Sequence, residues 1–142
     1  MDKMPAYLEE LAFAFSMLPS KREVLIELIE LGKSMQELPV EERTAERKVP
    51  GCVSNVYIKT ELDATGKIIF MGSADALIVK GYVALLVQSL SGYTAREIVE
   101  EAGVYVDAFL KKTDLNASMI ASRANAFGNI FQTMKEQCKA FL

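Results

Sequence analysis

Histidine is absent from the 142 residues, so His-based acid–base catalysis and His metal ligation are excluded. Tryptophan is absent as well. Cysteine occurs twice, at Cys52 and Cys138. That is too few for a Cys-rich zinc or iron–sulfur site, and it is unlike the disulfide framework of a small secreted protein. An excess of positive charge is missing too. Sixteen Lys and Arg stand against nineteen Asp and Glu, a formal net charge of −3, which argues against a nucleic-acid-binding face. The longest apolar stretch lies around Leu77–Leu90, is interrupted by Lys80, and is too short to span a bilayer. The opening MDKMPAYLEE carries acids where a signal peptide carries bases and an apolar run. The expectation is a cytoplasmic protein that binds neither nucleic acid nor membrane and holds no metal.

What remains is globular: 51% hydrophobic and 25% charged residues place the chain far from disorder. A chain of this length suits a single domain over residues 1–142 and can bury roughly 68–70% of its unfolded surface.

Leu8, Leu11, Ala12 and Phe15 recur at helical spacing, which predicts a first helix over Pro5 to Met17, broken by Pro19. Ser20-Lys21-Arg22-Glu23 reads as a capping box opening a second helix, with Val24, Leu25, Leu28, Ile29 and Leu31 inward and Gly32 as its stop. Lys33 to Gly51 carries Pro39, Pro50 and the mixed charge run Glu41 to Lys48, which predicts a solvated loop. Two strands follow, Ser54–Glu61 and Lys67–Gly72, joined by an Asp63-Ala64-Thr65-Gly66 turn. Ser73 or Asp75 caps the next helix, apolar nearly all round from Leu77 to Val87, which belongs at the centre of a domain. Thr94-Ala95-Arg96-Glu97 is a second capping box, for a short helix stopping near Gly103. Tyr105–Lys111 adds a turn or two. A last helix starts between Asn116 and Ser122 and buries Ala124, Phe127, Phe131, Met134, Cys138 and Phe141. Helices, hairpin, helices is an α+β order, with a small antiparallel sheet covered by helices.

The two thiols differ in setting. Cys138 is in phase with a core stripe and reads as a small hydrophobe. Cys52 follows Pro50-Gly51 at the exit of the charged loop, with Arg43, Arg47 and Lys48 upstream. Cations near a thiol favour the thiolate, the nucleophilic form. A lone loop Cys can equally be a partly buried bystander. Lys80 either snorkels to the surface or points toward the Cys52 site.

Val49-Pro50-Gly51-Cys52-Val53-Ser54-Asn55-Val56-Tyr57 resembles the V-x-G-C-Q-S-x-V-W stretch of the SufE-type sulfur-acceptor proteins. The likeness continues through Gly72-Ser73-Ala74-Asp75-Ala76-Leu77-Ile78-Val79-Lys80-Gly81, Ser91-Gly92-Tyr93-Thr94-Ala95 and Ser122-Arg123-Ala124-Asn125, with Glu30-Leu31-Gly32, Leu38-Pro39 and Arg43 upstream. Val53, Tyr57, Ala74 and Ala126 depart from the family pattern. The resemblance implies a SufE/IscU-like fold and a persulfide carrier. On that reading Cys52 accepts sulfane sulfur from a SufS-like cysteine desulfurase, itself dependent on pyridoxal phosphate. It stimulates that enzyme and passes the sulfur to a SufBCD-like iron–sulfur scaffold. The chain itself then needs no cofactor and turns nothing over alone. Asp75, Arg123, Lys80 and Arg43 become the candidate residues that hold the loop or meet the partner. One candidate Cys and no His leave no means of holding a cluster. A thiol-dependent redox enzyme using Cys52, or a helical adaptor without chemistry, are the alternatives.

The carrier reading requires Cys52 sheltered at rest and extended during transfer. Glu41–Lys48 offers no apolar anchor, so the Leu38–Val53 loop is expected to move at small cost.

Overall fold

The computed structural model describes residues 3–52, 54–113, 115 and 121–142, with the backbone alone at 3 and 121–124. The chain runs α1 (Lys3–Ser16), α2 (Lys21–Lys33), β1 (Val56–Leu62), β2 (Ile68–Ala74), α3 (Leu77–Leu90), α4 (Ala95–Glu100), α5 (Ala102–Thr113) and α6 (Ala121–Cys138). The predicted α+β order holds.

α3 is the hub. Tyr82, Val83, Ala84, Leu85 and Leu86 are all fully buried within it, so every face meets another element. Tyr82 meets Phe127 of α6 edge to face at 5.5 Å. α2 crosses α3 at very close range. A Cβ on Gly81 would lie 2.3 Å from the Leu28 carbonyl oxygen, and one on Gly32 would lie 2.8 Å from the Gly81 nitrogen. Gly32 therefore does not stop α2, as the sequence suggested. The helix runs past it to Lys33 and ends on Ser34, and Gly32 serves the contact between helices.

Two other expectations change in the same way. At α2 the Ser20 hydroxyl accepts the Glu23 amide at 3.2 Å, but the Glu23 side chain makes no return bond among the described residues. The complete box is at α4, where Thr94 Oγ1 accepts from the Glu97 amide at 3.2 Å and Glu97 Oε1 accepts from the Thr94 amide at 2.9 Å. Gly103 does not end a helix. α4 closes at Glu100, and Gly103 sits in the first turn of the twelve-residue α5. That helix packs on α1 through Phe109 and Phe15, ring centroids 6.2 Å apart.

The hairpin is antiparallel, with Val56 opposite Ala74, Tyr57 opposite Ser73 and Ile58 opposite Gly72. Val56, Ile58, Ile68 and Phe70 point into the core, which leaves Tyr57, Lys59, Met71 and Ser73 on the outer face. At the turn, Asp63 Oδ1 accepts from the Thr65 and Lys67 amides at 2.8 and 3.0 Å, and Gly66 takes φ +82°.

The charged segment after α2 is pinned at both ends. Glu37 bridges to Gly72 on the β2 edge, with the Leu38 amide on the Gly72 carbonyl at 3.0 Å. Lys48 bridges to Tyr57 on the β1 edge, with the Val49 amide on the Val56 carbonyl at 2.8 Å. Between them the chain arches over the outer face of the hairpin in two 3-10 turns, Val40–Glu42 and Ala45–Arg47.

Candidate functional site

Cys52 lies where this arch meets the hairpin. Gly51 turns the backbone at φ +79°, a conformation open to glycine at little cost. It packs so close to α6 that a Cβ there would lie 2.8 Å from Asn129 Nδ2. Cys52 is half-buried and packs against the core. Its neighbour Val49 is buried, whereas Pro50 is exposed. Val53, one of the departures from the family pattern, lies outside the described residues.

The electrostatics of Cys52 run against the sequence expectation. Burial pushes the thiol above its ordinary value, and no cation among the described residues offsets it. Two of the three upstream cations, Arg43 and Arg47, are engaged elsewhere. Arg43 Nε donates to the Leu38 carbonyl at 2.9 Å, Arg47 donates to the Glu42 carbonyl at 2.8 Å, and Glu42 is paired with Lys59. That pairing lowers the Glu42 carboxyl and raises the Lys59 ammonium. These ties hold the arch together. Cys138 is fully buried on α6, as expected, and burial pushes its thiol up to about 12.

Asp75 does not cap α3. The N-cap is Ala76, without a side-chain bond. The Asp75 carboxylate is instead committed to the residue before β1: Oδ1 accepts from the Asn55 amide at 3.1 Å and Oδ2 from Asn55 Nδ2 at 3.2 Å. Ser73 is not a cap either, since it ends up within β2. Lys80 neither trails into solvent nor meets Cys52. It pairs with Glu37 at 3.2 Å. Arg43, Asp75 and Lys80 come together with Glu37, Asn55, Tyr57 and Ser73 in one open cleft of about 470 Å³ on the outer face of the hairpin. Cys52 lies three residues from its rim at Asn55. The backbone of Arg123 is in the first turn of α6, and its side chain lies outside the described residues.

Asn55, Asn129 and Glu37 were not singled out by sequence. Asn55 sits just before a strand, where Asn commonly makes local hydrogen bonds, but nothing local names a partner twenty residues away. Among the described residues no group of three or more Cys, Asp and Glu side chains could hold a metal ion. Among the same residues no helix is long and apolar enough to cross a membrane.

A protein-family model described as SufE, Fe-S metabolism associated domain, matches residues 9–138. The chain belongs to the SufE family. An uncharacterised SufE-like protein of Synechocystis is 44% identical over 115 residues, 81% of this chain and 69% of that one. A Plasmodium falciparum protein named cysteine desulfuration protein SufE is 29% identical over 120 residues, 82% of this chain and 47% of that one. The fold is also that of a hypothetical protein from Thermus thermophilus solved in solution. There the TM-score is 0.72 at 16% identity, over 94% of each chain. SufE membership ties the chain to iron–sulfur metabolism. Tyr57 and Ala74, two of its departures from the family pattern, both line the cleft.

Proposed function

We propose that this SufE-family chain is a persulfide acceptor and carrier, with Cys52 as the sulfur-bearing residue. The observation that carries the reading is the placement of Cys52. It is a half-buried thiol at the junction of a charged arch and the hairpin, led by a positive-φ glycine and followed by the Asp75–Asn55 clasp. The donor is a pyridoxal-phosphate cysteine desulfurase of SufS type, and the acceptor downstream is a SufBCD-like iron–sulfur scaffold.

The chemistry is one exchange at sulfur. The Cys52 thiolate attacks the outer sulfur of the donor's cysteine persulfide. A new S–S bond forms on Cys52, the donor's S–S bond breaks, and the donor cysteine leaves as a thiolate that takes up the proton Cys52 gave up. No net oxidation occurs. Burial keeps the Cys52 thiol protonated at rest, so the free protein is a poor nucleophile. Drawing the tip into a partner's site removes that burial and restores ionisation. Arg43, Asp75 and Lys80 lie where they can hold the tip or meet the partner. Arg123 is assigned the same role on the family resemblance alone.

The redox-enzyme alternative lacks a resolving thiol, because Cys138 is fully buried. An adaptor without chemistry predicts that Cys52→Ser is silent. The test is intact mass after incubation with a cysteine desulfurase and cysteine. One added sulfur, roughly 32 Da, mapped to Cys52 and absent from Cys52→Ser, supports the carrier. Equal labelling of Cys138 in the folded protein, or no labelling at all, overturns it.

A further inference from the structure

The cleft beside the Cys52 loop contains more unused bonding capacity than a loop anchor needs. Its floor is Ser73, on the outer face of the hairpin opposite Tyr57. Ser73 is 2% exposed, and its Oγ has no hydrogen-bond partner among the described residues. Buried hydroxyls are nearly always paired; this one lies just beneath the cleft surface. Arg43, half-buried on the cleft wall, uses only Nε, on the Leu38 carbonyl. The rest of its guanidinium fork makes no bond to a described residue.

The charges are arranged unusually. Lys80 and Glu37 neutralise each other across 3.2 Å. Arg43 and Asp75 carry opposite charges and line the same cleft, yet they form no ion pair with each other or with any other described residue. Among the described residues Asp75 is met only by the neutral donors of Asn55. A cation and an anion held apart across a cleft match a ligand that carries both charges itself. Val40, 72% exposed on the rim, adds an apolar contact.

We propose that this cleft binds a free α-amino acid with a small side chain. Its carboxylate sits on the Arg43 fork, which suits planar bidentate recognition. Its ammonium faces Asp75, and Asn55 and Tyr57 line the cleft beside them. A few convergent polar groups in a concave site are what small-ligand recognition requires. The inference is independent of sulfur transfer, since it concerns binding by this chain alone.

The test uses Cys52→Ser protein labelled with ¹⁵N and titrated with L-alanine, acetate and methylammonium in turn, reading the amides of Asn55, Tyr57, Ser73 and Asp75. L-Alanine is expected to give saturable shifts in the millimolar range. Acetate and methylammonium, each offering one charge, bind at least about fivefold more weakly. Arg43→Gln weakens L-alanine about tenfold. Absence of saturable shifts with L-alanine overturns the inference. So does acetate binding as tightly as L-alanine, which would make this a simple carboxylate site, or an undiminished affinity in folded Arg43→Gln. Should Arg43→Gln not fold, the comparison of the three ligands on the protein with Arg43 intact decides.

Discussion

Asp75 and Asn55 clasp each other through three hydrogen bonds. Asp75 Oδ1 and Oδ2 accept from the Asn55 backbone and side-chain amides at 3.1 and 3.2 Å, and the Asp75 amide donates to the Asn55 carbonyl at 3.3 Å. The clasp joins the start of β1 to the end of β2, three residues beyond Cys52. Asp75→Ala removes its two side-chain bonds. The opening free energy of the tip then falls by about 1 kcal/mol, and the iodoacetamide rate of Cys52 rises roughly fivefold with the domain still folded. A rate equal to that of the parent protein at matched pH would show that the clasp does not restrain the tip. Arg123→Ala belongs in the same comparison, because the family resemblance assigns Arg123 to the loop.

The burial of Cys52 fixes the sign of its pH dependence. Its thiol is raised above the ordinary value of 9.0. The alkylation rate of the free protein should therefore climb through a midpoint above 9.0, and at neutral pH it should lag a free thiol in a small peptide. A midpoint below the ordinary value would restore the cation-activated thiolate expected from sequence.

Cys138 makes a separate prediction at high pH. Its folded value of about 12 lies above the ordinary 9.0. The stability it contributes is complete below the unfolded value and is lost as pH rises from 9.0 toward 12. Urea midpoints of the parent protein should fall across that window. Those of Cys138→Ala, lower to begin with because a buried side chain is trimmed, should fall less steeply. Parallel slopes would contradict the assignment.

Three glycines separate packing from backbone effects. Gly81→Ala places a Cβ 2.3 Å from a backbone oxygen of α2 and should cost about 3 kcal/mol, visible as a fall of roughly 5–10 °C in Tm. Gly51→Ala meets Asn129 at a positive φ and should cost about 1–2 kcal/mol, with a change in Cys52 alkylation that Gly81→Ala does not share. Gly103→Ala meets nothing within 4 Å and lies in a helix, so it should stabilise by about 0.5–1 kcal/mol. Calorimetry on the three variants checks the order.

Sequence by itself determined the features whose partners lie within about four residues. The apolar stripe of α1, the Phe127, Met134 and Cys138 part of the α6 stripe, the complete Thr94–Glu97 box and the Asp63 turn are all of this kind, because one turn of backbone brings their groups together whatever the rest of the chain does. Phe141, expected on the same stripe, lies past the end of α6 and is 38% exposed, and Phe131 is only half-buried. The core position of Cys138 was legible for the same reason, from its phase with Phe131, Met134 and Phe141, of which Met134 is fully buried beside it. Tertiary structure decided everything that depends on distant segments. Gly32 looks like a helix stop until α3 arrives with Gly81 against it. Asp75 looks like a helix cap until Asn55 takes both its oxygens. Arg43 and Arg47 look like activators of Cys52 until backbone carbonyls engage them, and packing against the core sets the thiol the other way. Burial and partner choice are properties of which surfaces meet, and a linear pattern does not carry that information. The charged arch shows both halves: its composition announced a solvated loop, but only its bridges to the two hairpin edges hold it over one face and enclose the cleft there.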